Sequence, residues 1–203
     1  MIRSIRRAAV PLLVFSGLLG LAYPLAMTGI AAVVAPDAAG GRPVVDDQGR
    51  VIGAALVGQR FTGPGYIHGR PSATNYGALP GGASNLGPTS AVLADDVAAR
   101  VRALRQDGAL RQDGGAAPAA GLPADLVTAS GSGLDPDISP AAARMQVARV
   151  AAARGLEPAV VARLVDAHVT PPVLGVLGEA RVNVLALNMA LDAASPAEAR
   201  SAP

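Results

Sequence analysis

The sequence predicts an α+β fold: a single N-terminal transmembrane helix followed by one extracytoplasmic mixed α/β domain. Three observations carry that expectation. No charged residue lies between Arg7 and Asp37, two β-branched runs flank a turn after Arg42, and a series of helix start and stop signals follows Ser90.

The apolar run from Ala8 to Ala35 would extend about 40 Å as a helix, more than the roughly 30 Å of a bilayer's hydrocarbon core. Backbone amides in lipid must bond internally, which requires a helix there. Arg3, Arg6 and Arg7 bias the N-terminus to the cytoplasm, so the chain divides into a cytoplasmic tail (1–7), a membrane helix (8–35) and an exterior domain (36–203). A cleaved signal peptide is the alternative. Its apolar region spans only about 7–15 residues before a small-x-small site. The run here is about twice that and ends at Ala35-Pro36, so an uncleaved anchor is expected. Gly17 and Gly20 offer small surfaces for a neighbouring membrane helix, and Pro24 removes a backbone donor and should kink the helix unless a neighbour compensates.

Beyond the anchor, Arg42 to Phe61 reads as a hairpin, with Val44-Val45 and Val51 to Val57 as strands around Asp46-Asp47-Gln48-Gly49. Thr62 to Pro88 is irregular and rich in Gly, Pro, Asn and Ser, a loop long enough to suggest function. Thr89 or Ser90 caps a helix to about Arg105, with Leu93, Val97, Val101 and Leu104 on one face. The tandem ALRQDG at Ala103–Gly108 and Ala109–Gly114 marks a variable insertion over 103–121. Ser139-Pro140 opens a helix that should run to Arg154 and stop at Gly155. Pro158 opens another to about His168, Pro171-Pro172 stops it, and a last helix covers Arg181 to Ala193.

Composition narrows the function. All 17 basic residues are arginine, and three lie in the N-terminal tail, which leaves 14 against 15 acids in the exterior part. No basic patch for nucleic acid survives that division. Without lysine there is no phosphate-binding P-loop, and Gly131-Ser132-Gly133 is not the nucleophile elbow of a serine hydrolase. Two histidines, His68 and His168, and no cysteine are too few for a zinc site, so no metal is expected. Asp135-Pro136-Asp137 lacks the glycine and closing glutamate of a calcium loop, which leaves Asp135 as a turn residue and Ser139 as a helix cap. Arg70, before Pro71, suits the bracing of carbonyls or carboxylates. Gln146 reads as a solvated helix position. From the residues alone, a freestanding anchored envelope hydrolase or a binding module remains the alternative to a complex subunit.

Several strings occur in one order: the anchor, Val57-Gly58-Gln59 and Phe61, YIHGRPSATNY from Tyr66 to Tyr76, and SNLGP from Ser84 to Pro88. DLVTASGSGLDPDISPAAARMQVARVAAARG from Asp125 to Gly155 and LGEARVNVLALNMALD from Leu177 to Asp192 follow. Over nearly the whole chain this resembles the C subunit of the bacterial Kdp potassium-transporting P-type ATPase. Ala83, where that family tends to have glycine, the ALRQDG duplication and the Ser195–Pro203 tail depart from it. The resemblance implies a non-catalytic accessory subunit of the bacterial inner membrane, with no cofactor of its own. It implies assembly with a channel-like potassium-binding subunit and an ATPase subunit, ATP and K+ being handled by the complex. The family's C subunit is described as a catalytic chaperone that raises the ATPase subunit's affinity for ATP, and the proposed nucleotide contact falls on Gln146. The charge pattern places Gln146 on the side opposite to ATP, so an indirect effect is expected. Candidate subunit-interface residues are Gln59, Arg70, Ser72, Asn85, Ser130, Ser132 and Asp135. Carboxylates such as Asp125 or Asp135 could raise local cation concentration at a channel mouth.

Overall fold

The structure, a computed structural model, describes residues 2–46, 48–79, 81–106 and 121–194. The second ALRQDG copy, most of the 103–121 insertion and the Ser195–Pro203 tail lie outside the described residues. The chain divides into two units, Met1–Ala54 and Ala55–Pro203.

In the first unit, α1 (Ile2–Gly17), a π turn (Leu18–Ala22) and α2 (Tyr23–Val34) join into one helix of 33 residues with mean hydropathy 1.9. It is long and apolar enough to cross a membrane, and none of its residues is buried. Pro24 does not break it. An α-helical turn would set the proline ring against the carbonyl four residues back, and the π turn ahead of Pro24 widens that contact, with the Tyr23 N–H donating to Leu18 O. Thr28 Oγ1 donates to the Pro24 carbonyl at 2.8 Å. A short α3 (Pro36–Ala39) leads to an antiparallel hairpin of β1 (Pro43–Val45) and β2 (Val51–Ala54), with a bulge between Val44 and Val45. Asp46 organises its turn by accepting from the Gln48 and Arg50 N–H groups and from Arg50 Nε. The Arg50 N–H, followed by the guanidinium, holds the Asp46 carboxyl below its ordinary range. Pairing ends at Ala54 rather than Val57, because the chain turns there.

In the second unit, Ser90 Oγ accepts from the Leu93 N–H at the start of α4 (Ala91–Gln106), whose Val97, Val101 and Leu104 pack on the core as their spacing predicts. Ser139 caps α5 (Pro140–Met145), accepting from the Ala142 N–H. The single helix expected to reach Arg154 is instead two. Gln146 interrupts it with φ −90° and ψ −7°, and α6 (Val147–Arg154) continues to Gly155, left-handed at φ 62°. Then come α7 (Pro158–Ala167) and α8 (Val184–Ala194).

A three-stranded antiparallel sheet joins β3 (Asp137–Ile138), β4 (Val169–Thr170) and β5 (Arg181–Asn183) in the order β3-β5-β4. Arg181 to Asn183 were expected to begin the last helix. They are extended because Val182 pairs with Ile138 on one side and Val169 on the other, and the helix begins only at Val184. The core gathers Ile67, Ile138, Ala142, Ala143, Val150, Val161, Val165, Val182, Leu187 and Leu191, all at most 2% exposed. Alanines on α5 and α6 let the chain approach closely, and the valines and leucines supply the apolar burial, about 1.5–3 kcal/mol for each side chain.

Candidate functional site: a polar segment gripped through its backbone

Ile67, in the middle of the irregular stretch between Thr62 and Pro88, is fully buried, so its neighbours' backbone groups need partners inside the protein. No strand runs beside them. Two side-chain carboxamides take that place. Asn188 on α8 accepts from the Ile67 N–H at 2.8 Å and donates to the Ile67 carbonyl at 2.9 Å. Gln146 accepts from the His68 N–H at 2.8 Å and donates to the His68 carbonyl at 3.0 Å. Successive extended residues point their amides to opposite sides, so one segment engages α8 with one residue and the α5–α6 junction with the next.

Gln146 is therefore not a solvated position but 1% exposed. Its oxygen also accepts from Arg149 Nη2 at 2.7 Å and its nitrogen also donates to Ala142 O at 3.3 Å. That fills all four hydrogen-bonding positions of the carboxamide. The helix breaks where the side chain must turn to meet His68.

Either side of the clamped pair, the chain is tied again. Arg154 Nε donates to Gly65 O, its Nη2 lies 2.7 Å from Asp192, and its guanidinium stacks 4.8 Å from the Tyr66 ring centroid. Arg149 Nη1 donates to Pro64 O at 2.6 Å. Downstream, Arg70 Nη1 pairs with Asp135 at 3.0 Å, and its Nη2 reaches the Ala129 carbonyl at 3.5 Å. This is the bracing role expected of Arg70. Asp135 also accepts from the Asp137 N–H, the turn role expected of it. Tyr76 Oη donates to the Arg70 carbonyl at 2.6 Å, and that approach crosses Gly69, where a Cβ would lie 2.6 Å from the hydroxyl. Burial first, then the Asp135 charge, raise the Tyr76 phenol above its ordinary pKa, against a smaller opposing effect of Arg70.

Ser72 joins this loop to the Gly131–Gly133 loop. Its hydroxyl donates to Gly133 O at 2.7 Å and accepts from the Thr74 and Tyr76 N–H groups. Ser130, 3% exposed, accepts from the Gly133 N–H, and its own N–H donates to Pro71 O. Gly133 has φ 71°, and an added Cβ would meet Thr74 Oγ1 at 2.7 Å. Ser132 is exposed, with its hydroxyl accepting from the Leu134 N–H and its carbonyl accepting from the Gly82 N–H.

The structure thus brings Arg70, Ser72, Ser130, Ser132 and Asp135 together at the meeting of two loops. Gln59 lies half-buried along a crevice with Gly69, Tyr76 and Asp135, and Asn85 is exposed with φ 54° outside that network. In the first unit, Gly17 and Gly20 present open surfaces with no atom within 4 Å of an added Cβ. A groove of about 670 Å³ is lined by Arg70, Asp125, Asp135, Asp137, Ser139 and Arg181, among others. Its aspartates carry partners of the chain's own: Asp125 accepts from Ser139 N–H and Oγ, and Asp137 pairs with Arg181 at 3.1 Å.

Asn188, Arg149, Arg154 and Asp192 were not singled out from the sequence. Asn188 left a readable trace, a lone carboxamide in the apolar run VLALNMALD.

Residues 5–193 match the family model described as "K+-transporting ATPase, c chain". A potassium-transporting ATPase KdpC subunit of Cereibacter sphaeroides (strain ATCC 17029 / ATH 2.4.9) is 57% identical over 194 residues, 96% of this chain and 99% of that one. One of Rhodopseudomonas palustris (strain ATCC BAA-98 / CGA009) is 49% identical over 210 residues, 97% and 100% of the two chains. One of Nitratidesulfovibrio vulgaris (strain DSM 19637 / Miyazaki F) is 53% identical over 196 residues, 95% of each.

Proposed function

The chain belongs to the K+-transporting ATPase c chain family, and from that premise we propose that it is a non-catalytic accessory subunit of an ATP-driven potassium uptake complex. The observation that carries this reading is the match over residues 5–193, which takes in the membrane-length helix and the α+β unit together. In the complex it assembles with a channel-like subunit that binds K+ and a P-type subunit that hydrolyses ATP.

The helix Ile2–Val34 anchors the chain in the inner membrane with Arg3, Arg6 and Arg7 on the cytoplasmic side, and the second unit lies outside. Any gain in ATP affinity then passes through the pump's conformational equilibrium, by contacts that differ between its states. The bonding of Gln146 supports an indirect route, since its carboxamide is saturated by His68, Ala142 and Arg149. The site itself reads as a brace. The ring nitrogens of both histidines meet backbone carbonyls, Gly63 O for His68 and Leu164 O for His168.

The test is topological. A tag at the C-terminal end should react with a membrane-impermeant label in spheroplasts. Protection of the tag until the membrane is opened would reverse this reading and return direct handling of nucleotide.

A further inference from the structure

Between β4 and β5 the chain makes a tight turn, and Val173, Leu174, Val176 and Leu177 on it are 57%, 87%, 80% and 60% exposed. Its backbone is closed on itself. Val173 and Leu177 exchange hydrogen bonds at 2.9 and 3.0 Å, and Gly175 N–H donates to Pro172 O. Leu174 and Gly175 have φ 54° and 75° in succession, the pattern for which Asn-Gly is the favoured pair. A leucine there is doubly misplaced: the backbone strains against its Cβ, and its side chain finds little packing in its own chain. Strain of this kind, without internal compensation, points to a contact outside the chain.

The chemistry of the turn selects among partners. Pro171 to Gly178 holds no charge and no aromatic ring, and Glu179 follows at once. That lacks the arginine, lysine, tryptophan or tyrosine that favour a lipid headgroup region. Four aliphatic side chains also fall far short of the roughly 800 Å² per partner that a self-standing contact between two copies needs. An apolar centre rimmed by Thr170, Glu179 and Arg181 has the make-up of one anchor within a larger protein interface.

We infer that the Val173–Leu177 turn is a preformed apolar knob that seats in a hydrophobic pocket on another chain of the same ATPase. This rests on the assembly reading above. The rigid turn leaves little conformational freedom to lose on docking.

The experiment uses the full complex in mild detergent. A benzophenone amino acid at position 174 should form an adduct with another chain of the ATPase, while one at Val92, exposed on α4, serves as the control. Leu174→Asn with Val176→Ser should lower the fraction of the chain retained on the complex by about tenfold. The thermal midpoint of the full-length variant alone should stay level or rise. Retention equal to the unaltered chain, or adducts only with lipid or with a second copy, would overturn the knob while leaving the assembly reading in place. A lowered midpoint would make the turn a folding element and also overturn it. Failure of the unaltered chain to co-isolate at all would remove the assembly reading itself.

Discussion

Two loops of the second unit handle their unusual backbones in opposite ways. The Tyr66–Gly77 loop is polar and largely buried, and its left-handed Asn75 and Tyr76 are held by the chain itself, through Ser72 Oγ on the Tyr76 N–H and Tyr76 Oη on Arg70 O. The Val173–Leu177 turn is apolar and exposed, and its left-handed Leu174 receives no such support from its side chain. In the first loop strain is offset by bonds inside the fold. In the second the side chain that incurs the strain faces outward. The contrast separates residues kept for folding from residues kept for contact.

The largest effect that would sharpen this contrast is expected at the clamps. Asn188→Ala leaves the buried Ile67 N–H and carbonyl without partners, a loss of about 3 kcal/mol in unfolding free energy by chemical denaturation. Gln146→Ala should cost a similar amount. A loss as small as that expected for the exposed turn would erase the distinction. Next comes the Arg70–Asp135 pair, whose side chains are 26% and 29% exposed. A double-mutant cycle of Arg70→Ala and Asp135→Ala should give a coupling of about 1 kcal/mol after allowance for solvent screening. The smallest is Tyr76→Phe, about 1 kcal/mol or less for the lost bond to Arg70 O. It carries a sign in pH. A phenol whose pKa is raised on folding gives its full contribution below the unfolded value, near 10.0, and loses it as pH climbs toward the folded value, because the unfolded chain deprotonates first. Alkaline unfolding should therefore steepen in the unaltered protein and flatten in Tyr76→Phe. Parallel curves would show that burial of this hydroxyl does not govern the loop.

What the sequence made legible follows the range of each interaction. Ser90, Ser139-Pro140 and Gly155 mark helix ends correctly because a cap bonds to backbone within three residues or depends on its own φ. The strands β3, β4 and β5 escaped notice because two or three residues are too few to show alternation, and their partners lie far along the chain. Gln146 sat correctly in a helical stretch, but its burial is decided by His68, 78 residues away. Arg70 and Asp135 each drew attention for their chemistry. That they meet is a fact of the fold, since no periodicity links two irregular loops.

The π turn ahead of Pro24 has a consequence for the helix it sits in. Proline offers no amide hydrogen to the preceding coil, and Leu18 already takes that of Tyr23, so the rod carries a localised spot of uncompensated polarity beside the bare surface of Gly20. In hydrocarbon such a spot has no solvent to turn to. The azimuth of the rod is thereby set by its main chain as much as by its side groups, with this flank turned toward a neighbour able to donate.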